Sequence, residues 1–282
     1  MNAPPKAVTP LRVLKVRPGR QLELPDDVAT EEPLQLMVAG PGAAAVPLAV
    51  TMRTPGHDFE LAAGFVFTEG VAAPSEIRSV DHCEAASLDP VARWNHVAIR
   101  LTRPHSPDAQ PRTFAASASC GTCGKTSIDE LAVACGHVPP GGPWRTSSIT
   151  DAVGSLRGAQ KSFDRTGGLH AAGLFDRDGA LLVVREDVGR HNAVDKVIGA
   201  TLLDQERFGT ARGDYGLVVS GRVSFEIVQK AAVAGLPLLA AVSAPSSLAV
   251  ETAKRLGVTL AAFVRGDNFN VYSHAERLVY TE

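Results

Sequence analysis

Excess charge of either sign, long apolar runs and cysteine are all scarce in this chain, and each shortage narrows what it can do. Its 28 Lys and Arg stand against 30 Asp and Glu, a net charge of -2, which is not the basic footprint of a protein that lives on nucleic acid. Any anion-binding site must therefore be local. The most apolar stretch, Ala231 to Ala244, is broken by Gly235-Leu236-Pro237 and falls short of the about 20 residues a membrane span needs. It is expected in a core, with no membrane partner. Met1 to Lys6 lacks the basic flank and apolar centre of a secretory signal, and residues 1–10 read as a short disordered tail. Only 4 cysteines, Cys83, Cys120, Cys123 and Cys135, occur in 282 residues, too few to form a disulfide framework. Reduced thiols in a cytoplasmic protein are the expectation, and Cys120 and Cys123 form the one close pair.

What is present is an ordinary globular composition, 45% hydrophobic and 21% charged, enough for one large core or two lobes. Apolar runs at Leu11 to Val16, Pro33 to Val38, Val46 to Met52 and Trp94 to Leu101 read as strands. Between them, Phe59, Ala62, Ala63, Phe65 and Val66 fall at helical spacing within His57 to Thr68. The three prolines of Pro104 to Pro111 mark a loop and a boundary. They divide a strand-rich N-terminal lobe (11–112) from an α/β core (113–282), which could equally form one continuous domain over 11–282.

Within the core, Ile128 to Cys135 and Ile149 to Phe163 read as helices. Strands follow at Ala171 to Phe175, Ala180 to Val184, Leu217 to Ser220, Pro237 to Val242 and Thr259 to Val264, with helices between the last four. The fold class is thus α/β, a layered mixed sheet with flanking helices. Ligands of such sheets sit outside the carboxyl ends of strands. Arg185 to Asn192, Ser220-Gly221-Arg222, Ser243-Ala244-Pro245 and Arg265-Gly266-Asp267-Asn268 all fall at such ends.

Small residues surround the cysteine pair in Ser117-Ala118-Ser119-Cys120-Gly121-Thr122-Cys123-Gly124-Lys125, which suits an accessible loop rather than a packed core. Lys125 and a helix beginning near Ser127 would favour thiolate over thiol. A structural zinc site needs a second close pair, and Cys83 and Cys135 stand alone. A zinc-dependent deaminase-like hydrolase is a sharper rival, because His82-Cys83-Glu84 ahead of Cys120 and Cys123 imitates that signature. There Glu84 would shuttle protons, but Ser119 replaces the proline the signature requires. A P-loop fails because Ser119 stands where its first glycine belongs. Dithiol redox chemistry and sulfur transfer through a persulfide both remain, and the residues do not separate them.

Arg53-Thr54-Pro55-Gly56-His57-Asp58, Thr68-Glu69-Gly70, Cys120-Gly121-x-Cys123-Gly124, Thr166-Gly167-Gly168, Arg185 to Asn192, Ser220-Gly221-Arg222 and Ser243-Ala244-Pro245 together resemble the FdhD family of formate dehydrogenase accessory sulfurtransferases, from about Leu11 to Tyr272. The resemblance implies a cytidine-deaminase-like core without deaminase chemistry and with no metal. It implies that a cysteine desulfurase passes sulfur to the pair, with Cys120 carrying the persulfide and Cys123 assisting. The acceptor it implies is the molybdenum bis(molybdopterin guanine dinucleotide) cofactor, destined for apo formate dehydrogenase, and a guanine nucleotide is a further candidate ligand. The matching cofactor-binding segment is Phe263, Val264, Arg265, Gly266, Asp267 and Asn268. A homodimer is also expected. A cofactor chaperone that makes no use of its thiols is the non-catalytic alternative.

Overall fold

The computed structural model describes residues 4–83, 92–105, 137–209 and 212–280. The chain opens with a hairpin of β1 (Val8–Arg17) and β2 (Arg20–Ala29). β3 (Glu32–Ala39), β4 (Val46–Arg53), β5 (Ile77–His82) and β6 (His96–Leu101) then form a four-stranded sheet in the order β4-β3-β6-β5. Helix α1 (Asp58–Thr68) lies on it, burying Leu61, Phe65 and Val66 against Leu34, Leu36, Val97 and Ile99. Its opposite face includes Ala63 and Gly64, where Gly64 lets the backbone of a second helix approach closely. Gly70, at φ 70, ends the helix by taking a left-handed turn.

The second layer system starts with a short strand β7 (Trp144–Arg145), paired with the equally short β14 (Leu278–Val279) near the chain end. Two helices follow, α2 (Thr146–Ala159) and α3 (Lys161–Thr166). The sequence reads as one helix here, and Gln160 breaks it by adopting φ -81, ψ 63. The main sheet comprises β8 (His170–Phe175), β9 (Leu181–Asp187), β10 (Gly216–Val219), β11 (Leu238–Ala241), β12 (Thr259–Arg265) and β13 (Asn268–Ser273), in the order β13-β12-β11-β10-β8-β9.

Strands β10, β11 and β12 are parallel, while β8 runs against β10 and β9 against β8. The expected mixed, layered sheet is therefore found. One face packs on Ile149, Ala152, Val153 and Leu156 of α2. The other is covered by α4 (Arg190–Leu203), α6 (Phe225–Val233) and α7 (Ser247–Leu256), with a one-turn α5 (Gln205–Phe208) after α4. Ala231 to Ala244 is core, as its composition suggested: α6 supplies Ala231 and Ala232, and β11 is fully buried. Among the described residues no helix is long and apolar enough to cross a membrane.

Because β9 runs with β10, β11 and β12, the carboxyl ends of all four strands lie along one edge, together with the start of β8. Backbone hydrogen bonds tie neighbouring loops there. Val223 donates to Ala244 O at 3.0 Å and Ser246 to Val223 O at 2.9 Å. The four polar segments singled out in the sequence thus share an edge.

Candidate functional site

The run Arg185-Glu186-Asp187 at the end of β9 looked like a ligand site, and its geometry gives it a different task. Each side chain holds one element in place. Arg185 reaches across to α1 and donates to Glu60, with one bond of 2.7 Å. That contact draws the Glu60 carboxyl below its usual range, against the opposing effect of burial, which is larger than any single attraction. Glu186 accepts from the backbone amides of Ser162 (2.9 Å) and Phe163 (2.7 Å), satisfying first-turn donors of α3 that have no intrahelical partner. Asp187 is fully buried. It accepts from Thr54 N, Gly189 N and Asn192 Nδ2 at 2.8–3.1 Å and pairs with Lys196 Nζ at 2.7 Å.

Lys196 and Asn192 complete this staple from α4. Lys196 also donates to Thr54 O at 2.8 Å, and Asn192 Nδ2 to Met52 O at 2.7 Å. The Arg53 to Asp58 motif is the other half of the staple. Arg53, itself wholly buried, forms paired 3.0 Å bonds with Asp58, the strong bidentate form of a charge-assisted contact. A deeper cluster lies under α1, where Lys230 contacts Glu69 at 2.7 Å, Thr68 at 2.9 Å and Asp195 at 3.0 Å. Sequence reading missed Lys230. Its signal was a lone cation in the apolar run Ile227 to Ala234, which a buried partner must explain.

The groups left facing the edge are Arg190, His191, Arg222 and His170. His191 lies 3.3 Å from Ser224 Oγ, and burial, helped by Lys230 and Arg190, pushes it down to about 4. It is neutral at pH 7. His170 is also lowered, first by burial and then by the Arg190 and Arg222 charges. Beside it opens a cavity of about 590 Å³ walled by Leu156, Gln160, Phe163, Gly168, His170 and Val242. The Thr166-Gly167-Gly168 turn supplies one rim, since Gly167 takes φ 67 and closes α3. Gln160 and Phe163 were missed because their helix was read as unbroken.

Phe263 to Asn268 stands at the same edge. Along β12 the side chains alternate between the two faces: Leu260 and Ala262 enter the core under α4, α6 and α7, and Ala261 enters the core under α2. Strict alternation would send Phe263 toward α2 and Val264 away from it, yet Val264 is the one buried beside α2. The register with β13 shifts between Ala262 and Arg265, so Phe263 is the extra residue of a bulge. It takes φ 56, in the left-handed region, and is 38% exposed. A strained, solvent-facing phenylalanine is not core packing. Arg265, Gly266, Asp267 and Asn268 are exposed at the turn, and Asn268 already belongs to β13. Val264 alone of the six faces inward.

Cys120, Cys123 and Cys135 lie outside the described residues, as do Glu84 and the Ile128 to Cys135 segment. Cys83 is half-buried, and burial pushes its thiol up against the weaker pull of Arg100, the reverse of an activated thiolate. The His82 ring lies tilted against Phe59 and edge-on to Trp94, with centroids at 4.8 and 4.9 Å.

The chain is 47% identical over 274 residues to the sulfur carrier protein FdhD of Mycolicibacterium paratuberculosis, covering 95% of this chain and 97% of the relative. It is 45% identical to the sulfur carrier protein FdhD of Streptomyces coelicolor, covering 95% and 94%. A formate dehydrogenase accessory protein from Desulfotalea psychrophila shares the fold, with a TM-score of 0.72 at 24% identity over 97% of this chain and 100% of that one. The profile of the FdhD/NarQ family matches residues 29–279, and with relatives this similar over nearly their full length the chain belongs to that family.

Proposed function

We infer that this protein is a sulfur carrier serving formate dehydrogenase. The observation that carries the reading is the near-full-length identity of 47% to a curated sulfur carrier, in a chain whose sequence contains the close pair Cys120 and Cys123. In this reading Cys120 thiolate attacks the terminal sulfur of a cysteine desulfurase persulfide. The new S–S bond makes Cys120 a persulfide, and the donor cysteine leaves as a thiolate. Cys123 assists in receiving or relaying that sulfur. The acceptor is the molybdenum bis(molybdopterin guanine dinucleotide) cofactor, a bound substrate held along the carboxyl edge of the main sheet before it enters apo formate dehydrogenase.

Three features of the edge support such a ligand. Phe263 offers an exposed aromatic face for a guanine ring, Arg265 and Gly266 offer a cation and bare backbone for phosphate, and the cavity beside His170 offers volume of ligand size. A cytidine-deaminase-like ancestry of the core, a cytoplasmic location and a homodimer belong to the same proposal.

Complementation tests it. In a strain lacking its own carrier, the wild-type chain should restore formate dehydrogenase activity and Cys120→Ala should lose it almost completely. Full restoration by Cys120→Ala would instead support a chaperone that makes no use of its thiols.

A further inference from the structure

The hairpin of β1 and β2 takes no part in the chain's own core. Neither strand supplies a residue to the hydrophobic clusters of the two sheets, and no residue of either 10-residue strand is buried. The hairpin is anchored at its base. Arg165 of α3 pairs with Asp27 at 2.8 Å, Thr30 N donates to Ala7 O at 3.0 Å, and a Cβ on Gly168 would lie 3.4 Å from that of Ala29. From there 10 paired rows run out to the turn at Pro18-Gly19, a reach of roughly 30 Å.

Alternation sorts the side chains onto two faces, and both carry aliphatic groups left open to water. Val13 stands opposite Leu24, with Leu11 and Leu22 on the same face. Leu14 and Val16 share the other face and are 56% and 67% exposed. A two-stranded ribbon standing alone is marginal in water, and aliphatic groups on both its faces would lose their exposure only inside a cleft.

Charge says what kind of cleft. Along the ribbon opposite charges meet, Lys15 with Asp26 at 3.3 Å and Arg12 with Glu23 at 3.9 Å. At the tip the pattern reverses. Arg17 stands directly opposite Arg20, and among the described residues neither has an ion-pair or hydrogen-bond partner. Like charges so placed destabilise a strand pair, a cost that carboxylates from outside would relieve. Glu23 and Asp26, one on each face, would be repelled by an anionic lipid surface, so a protein fits better.

We propose that this hairpin is a docking finger that enters an apolar, acid-floored cleft on the enzyme receiving the loaded cofactor, with Arg17 and Arg20 meeting the cleft's carboxylates. The inference rests on the carrier reading above and names the surface used for delivery. Position favours the receiver over the sulfur donor, because the hairpin springs from beside Gly168, a wall of the cavity at the edge where the acceptor is placed. Two 10-residue strands also reach the low end of the roughly 20–30 residues that a stable interface uses on each side.

Biolayer interferometry of the full chain against apo formate dehydrogenase from the same organism, produced without molybdenum, tests the finger. Wild type should bind, more slowly as salt rises. Arg17→Glu combined with Arg20→Glu should lower the association rate at low salt by at least about tenfold and flatten its salt dependence. Leu22→Ser combined with Leu24→Ser should instead speed dissociation. Because the tip lies outside the core, the charge-reversed variant should keep the wild-type urea midpoint and still take sulfur from a cysteine desulfurase on Cys120. An unchanged association rate in that variant would overturn the proposal, as would a wild-type chain that does not bind the apo-enzyme. Normal binding of the apo-enzyme with loss of sulfur uptake, of self-association in sedimentation or of binding to phosphatidylglycerol vesicles would overturn it too, assigning the hairpin to another occupant. Failure of the carrier reading looks different: wild type would then take no sulfur on Cys120, however well it bound the apo-enzyme.

Discussion

Phe263 keeps a left-handed backbone that costs a branched or bulky residue on the order of 1–2 kcal/mol, and with the residue 38% exposed its partial burial offsets only part of that strain. Phe263→Gly should therefore raise stability, by about 1 kcal/mol in urea denaturation, while weakening guanosine diphosphate. A destabilised Phe263→Gly would mean that the ring packs and that the bulge is structural. At Asp195 the balance is different. Burial pushes its carboxyl up to about 6, Lys230 pulls it back down, and Glu69 adds to the rise. Its folded value lies above the unfolded 3.8, so the fold holds this proton more tightly than the unfolded chain does. The stabilising contribution is complete below pH 3.8 and lost as pH rises through about 6. Asp195→Asn should remove that loss, so its stability relative to wild type should improve with pH across this window. Removing the cation instead, with Lys230→Met, leaves Asp195 and Glu69 buried without compensation and should cost about 3–5 kcal/mol at neutral pH.

The contact between α1 and α4 decides how the two sheets are joined. A Cβ on Gly64 would lie 1.9 Å from Asp195 O, and one on Gly199 would lie 1.8 Å from Glu60 O, so the two helix backbones touch with no room for a methyl group. Neither glycine is needed for its torsion angles; both are needed for closeness. Gly64→Ala or Gly199→Ala should force the helices apart and lower stability by about 1–3 kcal/mol, despite the better helix propensity of alanine. The Asp187 staple should loosen with them, because Thr54 and Lys196 sit on opposite sides of the same seam. Elements with clean periodicity were legible: α1, β3, β4 and β10 to β12 fall where their apolar spacing puts them. β2 gave no clear signal, because it carries Pro25-Asp26-Asp27 and is a largely exposed hairpin strand. β13 was hidden by the alternating asparagines of Asn268-Phe269-Asn270, on a strand that is largely exposed.

Over the whole molecule, the sequence placed the polar segments correctly at strand ends but could not say which of their residues face a ligand. Asp187, Asn192 and Lys196 looked the same as Arg190 and Arg222 in a row of letters. Only the register of β9 and the approach of the Arg53 to Asp58 loop turn the first group into a staple and leave the second facing outward. Cys120 and Cys123 were singled out on local grounds alone, by their small neighbours, and lie outside the described residues. Among the described residues the molecule thus has one organised edge, with an exposed aromatic residue and a cavity; the proposed sulfur carrier pair, Cys120 and Cys123, lies outside them. The most direct test of that account is mass spectrometry of the intact chain and its peptides after incubation with a cysteine desulfurase and cysteine. Added sulfur should map to Cys120 and disappear in Cys120→Ala; an adduct that persists in that variant, or no adduct on the wild type, would contradict a persulfide on Cys120.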